Sequence, residues 1–324
     1  MLFGTRAIPC LRMLAAASAV TRFRRARPAA TLCIHAGAWQ RHWARTVALL
    51  FGCLTLASCR EGVLDPRGPV GQAERVILYD ATAVMLAVVV PVILLTLAFA
   101  WWFRAGNLRA TYRPDWEYAG RIELIIWAIP SLVVLFLGGI AWIGSHELDP
   151  PKPLESAAPS LEVEVVSLDW RWLFIYPREG IASVNYLVVP TGVPVHFRLT
   201  SSSVMNSFFV PQLGSQIYTM AGMTTELNLQ ADKPGSYPGL SAQFSGPGFS
   251  DMRFTLRAES GEGFAAWVAQ THERGGVLDD ARVAELARPT RAGGELSFGA
   301  VAEDPFEMVA HGHLATRWSP KEAL

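Results

Sequence analysis

The chain has four cysteines, Cys10, Cys33, Cys53 and Cys59, and none beyond the last. Everything after Cys59 therefore offers no thiolate. That excludes an intrachain disulfide there and a metal centre built on bridging cysteine sulfurs. Net charge is absent too, with 28 basic residues against 28 acidic ones, so no nucleic-acid partner is suggested. Residues 1–60 contain no Asp or Glu at all. Internal repeats, a glycine-rich phosphate loop, zinc-ligand spacing and a nucleophile constellation are also missing.

What is present points to a membrane. The composition is 51% hydrophobic and 17% charged with eleven tryptophans, a lean toward membrane proteins. Ala81 to Phe103 and Leu124 to Ser145 carry no charged residue, and each run is long enough to cross a bilayer. Pro91 and Pro130 fall inside them, tolerated in membrane helices at the expense of a kink. Trp101, Trp102, Trp127 and Trp142 lie near the ends, where interfacial aromatics sit. Between the runs, Arg104, Arg109, Arg113 and Arg121 outnumber Asp115 and Glu117. The positive-inside rule places that loop in the cytoplasm and returns the chain to the outer side after the second span.

An arginine-rich, acid-free start suits an organelle transit peptide. The residues that follow favour another reading: an over-long start or extended basic region ahead of a true signal. Arg41 to Arg45 is basic, Val47 to Leu56 is apolar and too short to span, and Leu56-Ala-Ser-Cys59 follows. That tetrapeptide resembles the bacterial lipoprotein box, which implies removal of 1–58 and acylation of Cys59. Two acyl chains on one residue give stable anchoring where one is marginal.

Residues 59–75 read as a turn-rich polar linker, 76–147 as the helical hairpin, and 148–160 as an extended spacer. That spacer holds Pro150, Pro151, Pro153 and Pro159 and lifts the next domain off the membrane. From 161 to 258 the chain has the texture of a β-sandwich. Leu161 to Val165, Val195 to Thr200, Leu227 to Ala231 and Met252 to Leu256 alternate apolar and polar, between turns such as Pro190 to Pro194 and Asp232 to Gly235. His196 falls on the polar face of its strand, as a solvated or hydrogen-bonded histidine rather than a ligand. Residues 259–324 change to helical patterning at Gly263 to Ala269 and Asp279 to Ala287. Asp304-Pro-Phe-Glu307 supplies a cap, a first-turn proline and an acidic third position for a last helix. His272, His311 and His313 make no spacing with Met252 that suggests copper.

One stretch carries a resemblance. Ser203-Val-Met-Asn-Ser-Phe-Phe-Val-Pro211 and, after a β-like run, Ser241-Ala-Gln-Phe-Ser-Gly-Pro-Gly-Phe-Ser-Asp-Met252 resemble the copper region of subunit II of haem-copper oxidases. There the pattern is His-Ser-Phe-Trp-Val-Pro, then Cys-x-Glu-x-Cys-Gly-x-x-His-x-x-Met. Asn206 stands at the first His, Ser241 and Ser245 at the two Cys, Gln243 at the Glu and Phe249 at the second His. Only Met252 is kept. The resemblance is thus to the quinol-oxidising branch, the cytochrome bo-type ubiquinol oxidases.

It implies a two-helix transmembrane hairpin, an all-β cupredoxin sandwich and a small α-helical C-terminal extension. The implied function is subunit II of a proton-pumping oxidase that takes electrons from ubiquinol to oxygen, in a bacterial inner membrane with the sandwich in the periplasm. This chain would hold no cofactor. Haem and copper would belong to subunit I, with subunits III and IV and the lipid bilayer as further partners and ubiquinol met by the complex as a whole. Asn206, Ser241, Gln243 and Ser245 would replace the lost metal by packing and hydrogen bonds.

Trp170 and Trp172, in Leu168-Asp-Trp-Arg-Trp172, sit where copper-bearing relatives admit electrons. Without copper they read as packing, with Asp169 and Arg171 available to pair with the catalytic subunit. Glu123, in Arg121-Ile-Glu-Leu-Ile-Ile-Trp-Ala-Ile-Pro130, resembles a family glutamate near a proton-channel entrance of subunit I. It is a candidate proton-uptake residue, or simply a helix N-terminal carboxylate favoured by the macrodipole. Two rival readings are a free-standing, membrane-anchored cupredoxin lipoprotein acting as a binding module, and a cytochrome c oxidase subunit II.

Overall fold

The structure is a computed structural model, and it describes residues 62–111, 113–156, 158–290, 293–302 and 304–311. The leader, Cys59 and His313 lie outside the described residues. Helix α1 runs Pro69–Trp102 and α2 runs Gly120–Glu147. Both are apolar and long enough to cross a membrane, and the core of neither is covered by the rest of the chain. Thr82, Thr96 and Ser131 donate their hydroxyls to carbonyls four residues back, which keeps these polar groups satisfied in an apolar setting. Pro91 and Pro130 lie inside helices that continue through them. The two helices meet closely at Gly144, where a Cβ would stand 2.7 Å from Ile77 Cδ1.

Helix α1 begins earlier than the expected start at 76. Pro69, with its fixed φ, opens it, and its first turns rest on the sandwich. Gly71 N–H donates to the Leu213 carbonyl at 2.9 Å, and the Arg67 and Asp232 N–H groups donate to the Gln212 and Arg67 carbonyls. At Gly68 a Cβ would lie 2.0 Å from the Gln230 carbonyl oxygen, so only glycine permits the approach. The proline-rich segment does not hold the domain away either: Asn228 N–H and Nδ2 donate to the carbonyls of Pro150 and Pro151.

The sandwich matches the expected all-β architecture. Its strands are β1 Leu161–Leu168, β2 Arg171–Tyr176, β3 Ile181–Val184, β4 Tyr186–Pro190, β5 Pro194–Ser201, β6 Asn206–Phe209, β7 Ile217–Thr219, β8 Thr225–Gln230, β9 Gly235–Ser241 and β10 Arg253–Glu259. The C-terminal extension follows as α3 Gly261–Arg274, β11 Gly276–Leu278, α4 Asp280–Leu286, β12 Leu296–Val301 and α5 Pro305–Ala310. One sheet has the order β11-β12-β3-β2-β1-β5-β8 and the other β4-β10-β9-β6-β7. Between them Trp172, Phe174, Phe197, Phe208 and Phe254 form the centre of the core, with Trp172 edge-on to Phe208 and Phe254.

The extension is not purely helical. β12 pairs antiparallel with β3 and carries the first sheet two strands outward. A second core then forms on that sheet's outer face, where Val166, Leu168, Leu173 and Ile175 meet Val283, Leu286, Phe306 and Val309. β1 is therefore buried on both faces, so its alternation fades after Val165.

Candidate functional site

The six positions singled out in the sequence converge at one end of the second sheet. β6 opens with Asn206, β9 closes with Ser241 beside it, and the loop from Ala242 returns through a 3₁₀ turn at Phe249–Asp251 to Met252, just before β10. Phe208 is paired with Ser241 in register, which puts Asn206 diagonal to Ser241 on the same face of the sheet.

Their side chains bond directly. Ser241 Oγ donates to Asn206 Oδ1 at 3.2 Å and reaches the Gln243 carbonyl at 3.3 Å. Asn206 Nδ2 donates to the Val204 carbonyl at 3.3 Å, and Asn206 is only 1% exposed. Ser241 N–H donates to the Met252 carbonyl at 3.1 Å, and Ala242 N–H to that of Ser207 at 3.0 Å. Met252 is buried in the main core. The polar groups thus satisfy one another in a buried setting, where an unpaired one is costly.

The other positions contribute differently from the expectation that side-chain bonds would do the work. Gln243 takes part through its carbonyl. Ser245 Oγ is buried without a hydrogen-bond partner, while the Ser245 carbonyl accepts from Trp170 Nε1 at 3.2 Å. Phe249 meets the 72%-exposed Phe244 edge to face at 5.7 Å. Val204 and Met205 are exposed nearby in sequence, giving this end an apolar rim.

Trp170 separates from Trp172 in role. Trp172 is fully buried in the core. Trp170 adopts a left-handed backbone at φ 69°, and its ring lies against Gly246 and Gly248. A Cβ at Gly248 would stand 2.3 Å from Trp170 Cδ2. Trp170 is a strut for the loop, a role its spacing did not signal. Its neighbour Asp169 accepts from Ser203 Oγ, so one of the two residues considered for an intersubunit pair is engaged within the chain. Arg171 Nε is buried without a partner, and burial lowers its pKa.

A further residue was not anticipated. Asn185, at φ 61°, accepts from Trp172 N–H through Oδ1 at 3.0 Å and donates through Nδ2 to the Gly293 carbonyl at 2.8 Å. It ties β2 to the C-terminal loop. The readiness of asparagine for left-handed backbone was the available signal.

The other candidates stand apart from this end. Glu123 is exposed in the first turn of α2. His196 shares a hydrogen bond with Asn228 Oδ1 at 3.1 Å, and His272 Nδ1 lies 2.8 Å from the Gly299 carbonyl. Among the described residues, no three His, Cys, Asp or Glu side chains converge as a metal-holding group.

Residues 169–258 match the family model for the periplasmic domain of cytochrome c oxidase subunit II. The chain is 46% identical over 265 residues to cytochrome bo(3) ubiquinol oxidase subunit 2 of Pseudomonas aeruginosa, covering 82% of this chain and 78% of the relative. It is 49% identical over 264 residues to ubiquinol oxidase subunit 2 of Acetobacter aceti, covering 81% and 82%. A crystal structure of the periplasmic domain of subunit II of a Bradyrhizobium japonicum cytochrome oxidase aligns at 23% identity over 36% of this chain and 96% of that one, with a TM-score of 0.33.

Proposed function

Because the chain belongs to the ubiquinol oxidase subunit 2 family, we propose that it is a redox-free subunit of the oxidase, capping the outer face of a catalytic subunit that carries the haem and copper. The observation that carries this reading is the Asn206–Ser241 hydrogen bond. It occupies the place of a metal-ligand set with a closed polar pair, and neither partner is a soft ligand of the kind copper thiolate centres need.

The uncovered apolar surfaces of α1 and α2 support membrane insertion beside that catalytic subunit and its companions. Arginines in the loop between the helices put the loop in the cytoplasm, which sets the sandwich in the periplasm. Acylation of Cys59 adds a lipid anchor on the same side. Glu123, at the cytoplasmic start of α2, is positioned to collect protons for the catalytic subunit.

The test is mild solubilisation followed by metal and haem analysis. Haem b and ubiquinol oxidase activity should accompany this chain, and the isolated chain should carry no stoichiometric copper. The chain recovered alone, or with tightly bound copper, overturns the reading. As a complement, Asn206→His, Ser241→Cys, Ser245→Cys and Phe249→His together should generate purple copper absorption if the loop geometry is retained. Failure to take up copper counts against a preserved scaffold.

A further inference from the structure

Where the C-terminal extension meets the sandwich, a carboxylate is buried on the outer face of β1. Glu164 is 5% exposed. Arg198, its register neighbour on β5, donates to Glu164 Oε1 at 2.6 Å and with its other nitrogen to Glu307 Oε1 of α5 at 2.7 Å. The guanidinium also lies 4.7 Å from the Phe306 ring. One cation thus holds β1, β5 and α5 together. Beside it is a cavity of about 190 Å³, lined by Glu164, Ile175, Tyr176, Val301, Asp304 and Pro305.

The charges do not balance at this seam. Glu164 is flanked by Glu162 on its own strand, Asp304 at the cap of α5, Glu307 within α5 and Arg198 from β5. β2 presents Ile175 opposite it. Arg178 approaches Glu162 at 3.9 Å, and His196 is the register partner of Glu162. His311 lies 3.1 Å from Glu307. Glu164 and Glu307 thus share the Arg198 guanidinium, while Asp304 adds a further negative charge near Glu164.

We propose that α5 is seated by an acid-strengthened latch, in which Glu164 takes up a proton from solvent as the medium acidifies and the C-terminal extension closes more firmly on β1 and β5. Burial, and then the Asp304 charge, push the Glu164 carboxyl up to about 7 despite the pull of Arg198. Glu307 is shifted the other way, held below the usual carboxylate range chiefly by its bond to Arg198.

The signs follow from linkage. The seated state holds more protons on Glu164 than a state with α5 lifted into water, so seating strengthens as pH falls toward the ordinary carboxylate value. Below that range Glu307 loses its charge and the second arm of the bridge weakens, so the latch is firmest between the two. That the acidifying medium is the periplasm rests on the function proposed above; the latch itself does not.

Amide hydrogen exchange on the intact detergent-solubilised complex tests this, with protection of residues 304–311 referenced to β10 and corrected for intrinsic exchange. From about pH 8 to about pH 5, protection should rise about tenfold or more. Glu164→Gln, fixed in the neutral form, should show the acid-like protection at both pH values. Asp304→Asn keeps a side-chain acceptor for the Glu307 N–H while removing a repulsive charge, and should shrink the response. Unchanged or falling protection in the wild-type protein, or an undiminished response in Glu164→Gln, overturns the latch. Neither outcome depends on whether haem co-purifies.

Discussion

Removing the Ser241 hydroxyl should strand a buried acceptor and destabilise the chain, and removing its partner as well should return much of the loss. In Ser241→Ala, Asn206 Oδ1 loses its donor at 3.2 Å while Asn206 stays 1% exposed. The Gln243 carbonyl loses the same shared proton. A buried acceptor left without a donor costs about 1–3 kcal/mol. Asn206→Leu on that background replaces the stranded amide with an apolar group of similar size. Exchanging both partners for apolar groups is close to neutral, so the double variant should recover about 1 kcal/mol or more over Ser241→Ala. The assay is reversible urea unfolding of the purified chain in detergent, read by tryptophan fluorescence as a double-mutant cycle. Oxygen consumption with ubiquinol should be unchanged in assembled complexes. A Ser241→Ala cost below about 0.5 kcal/mol, or strictly additive losses in the double variant, would refute the reasoning.

Other outcomes follow from the same geometry. Gly248→Ala drives a Cβ to 2.3 Å from the Trp170 ring and should cost about 1–3 kcal/mol; Trp170→Ala in the same background should relieve part of it, measured by the same unfolding experiment. Glu164 has its pKa raised from 4.5 to about 7, so its contribution to stability is greatest below the unfolded value and is lost as pH rises to about 7. Glu164→Gln should therefore stabilise the chain above neutrality, by at most about 3 kcal/mol, and flatten its stability against pH between about 5 and 8. Glu123→Gln should slow proton uptake by the reconstituted oxidase without changing assembly, checked by stopped-flow with a pH dye. Cys59→Ser should abolish the acyl mass increment and leave the chain membrane-bound through α1 and α2, checked by mass spectrometry and membrane extraction.

Much of this was legible in the residues. The uncharged runs marked α1 and α2, the alternating runs fell on β1, β5, β8 and β10, and the Asp304 cap opens α5 with its carboxylate accepting from Glu307 N–H. The clustering of Asn206, Ser241 and Met252 followed from the resemblance. The rest depends on contacts distant in sequence. Leu296 to Val301 is short and interrupted by Gly299, and becomes a strand only because β3 offers an unpaired edge. Trp170 and Asn185 owe their roles to left-handed backbone set by packing. Glu164 looked like the polar member of an alternating strand, because nothing near it in the chain announces that α5 will cover it. The start of α1 at Pro69 depends likewise on Gly68 lying against Gln230.

That last contact has a mechanical meaning. Helix α1 runs unbroken from its seat under Leu213 to Trp102, about 50 Å at the usual rise per residue, and no loose joint separates it from the sandwich. The sandwich is a head fixed on a mast. A lean of the mast in the bilayer should therefore tip the head with it.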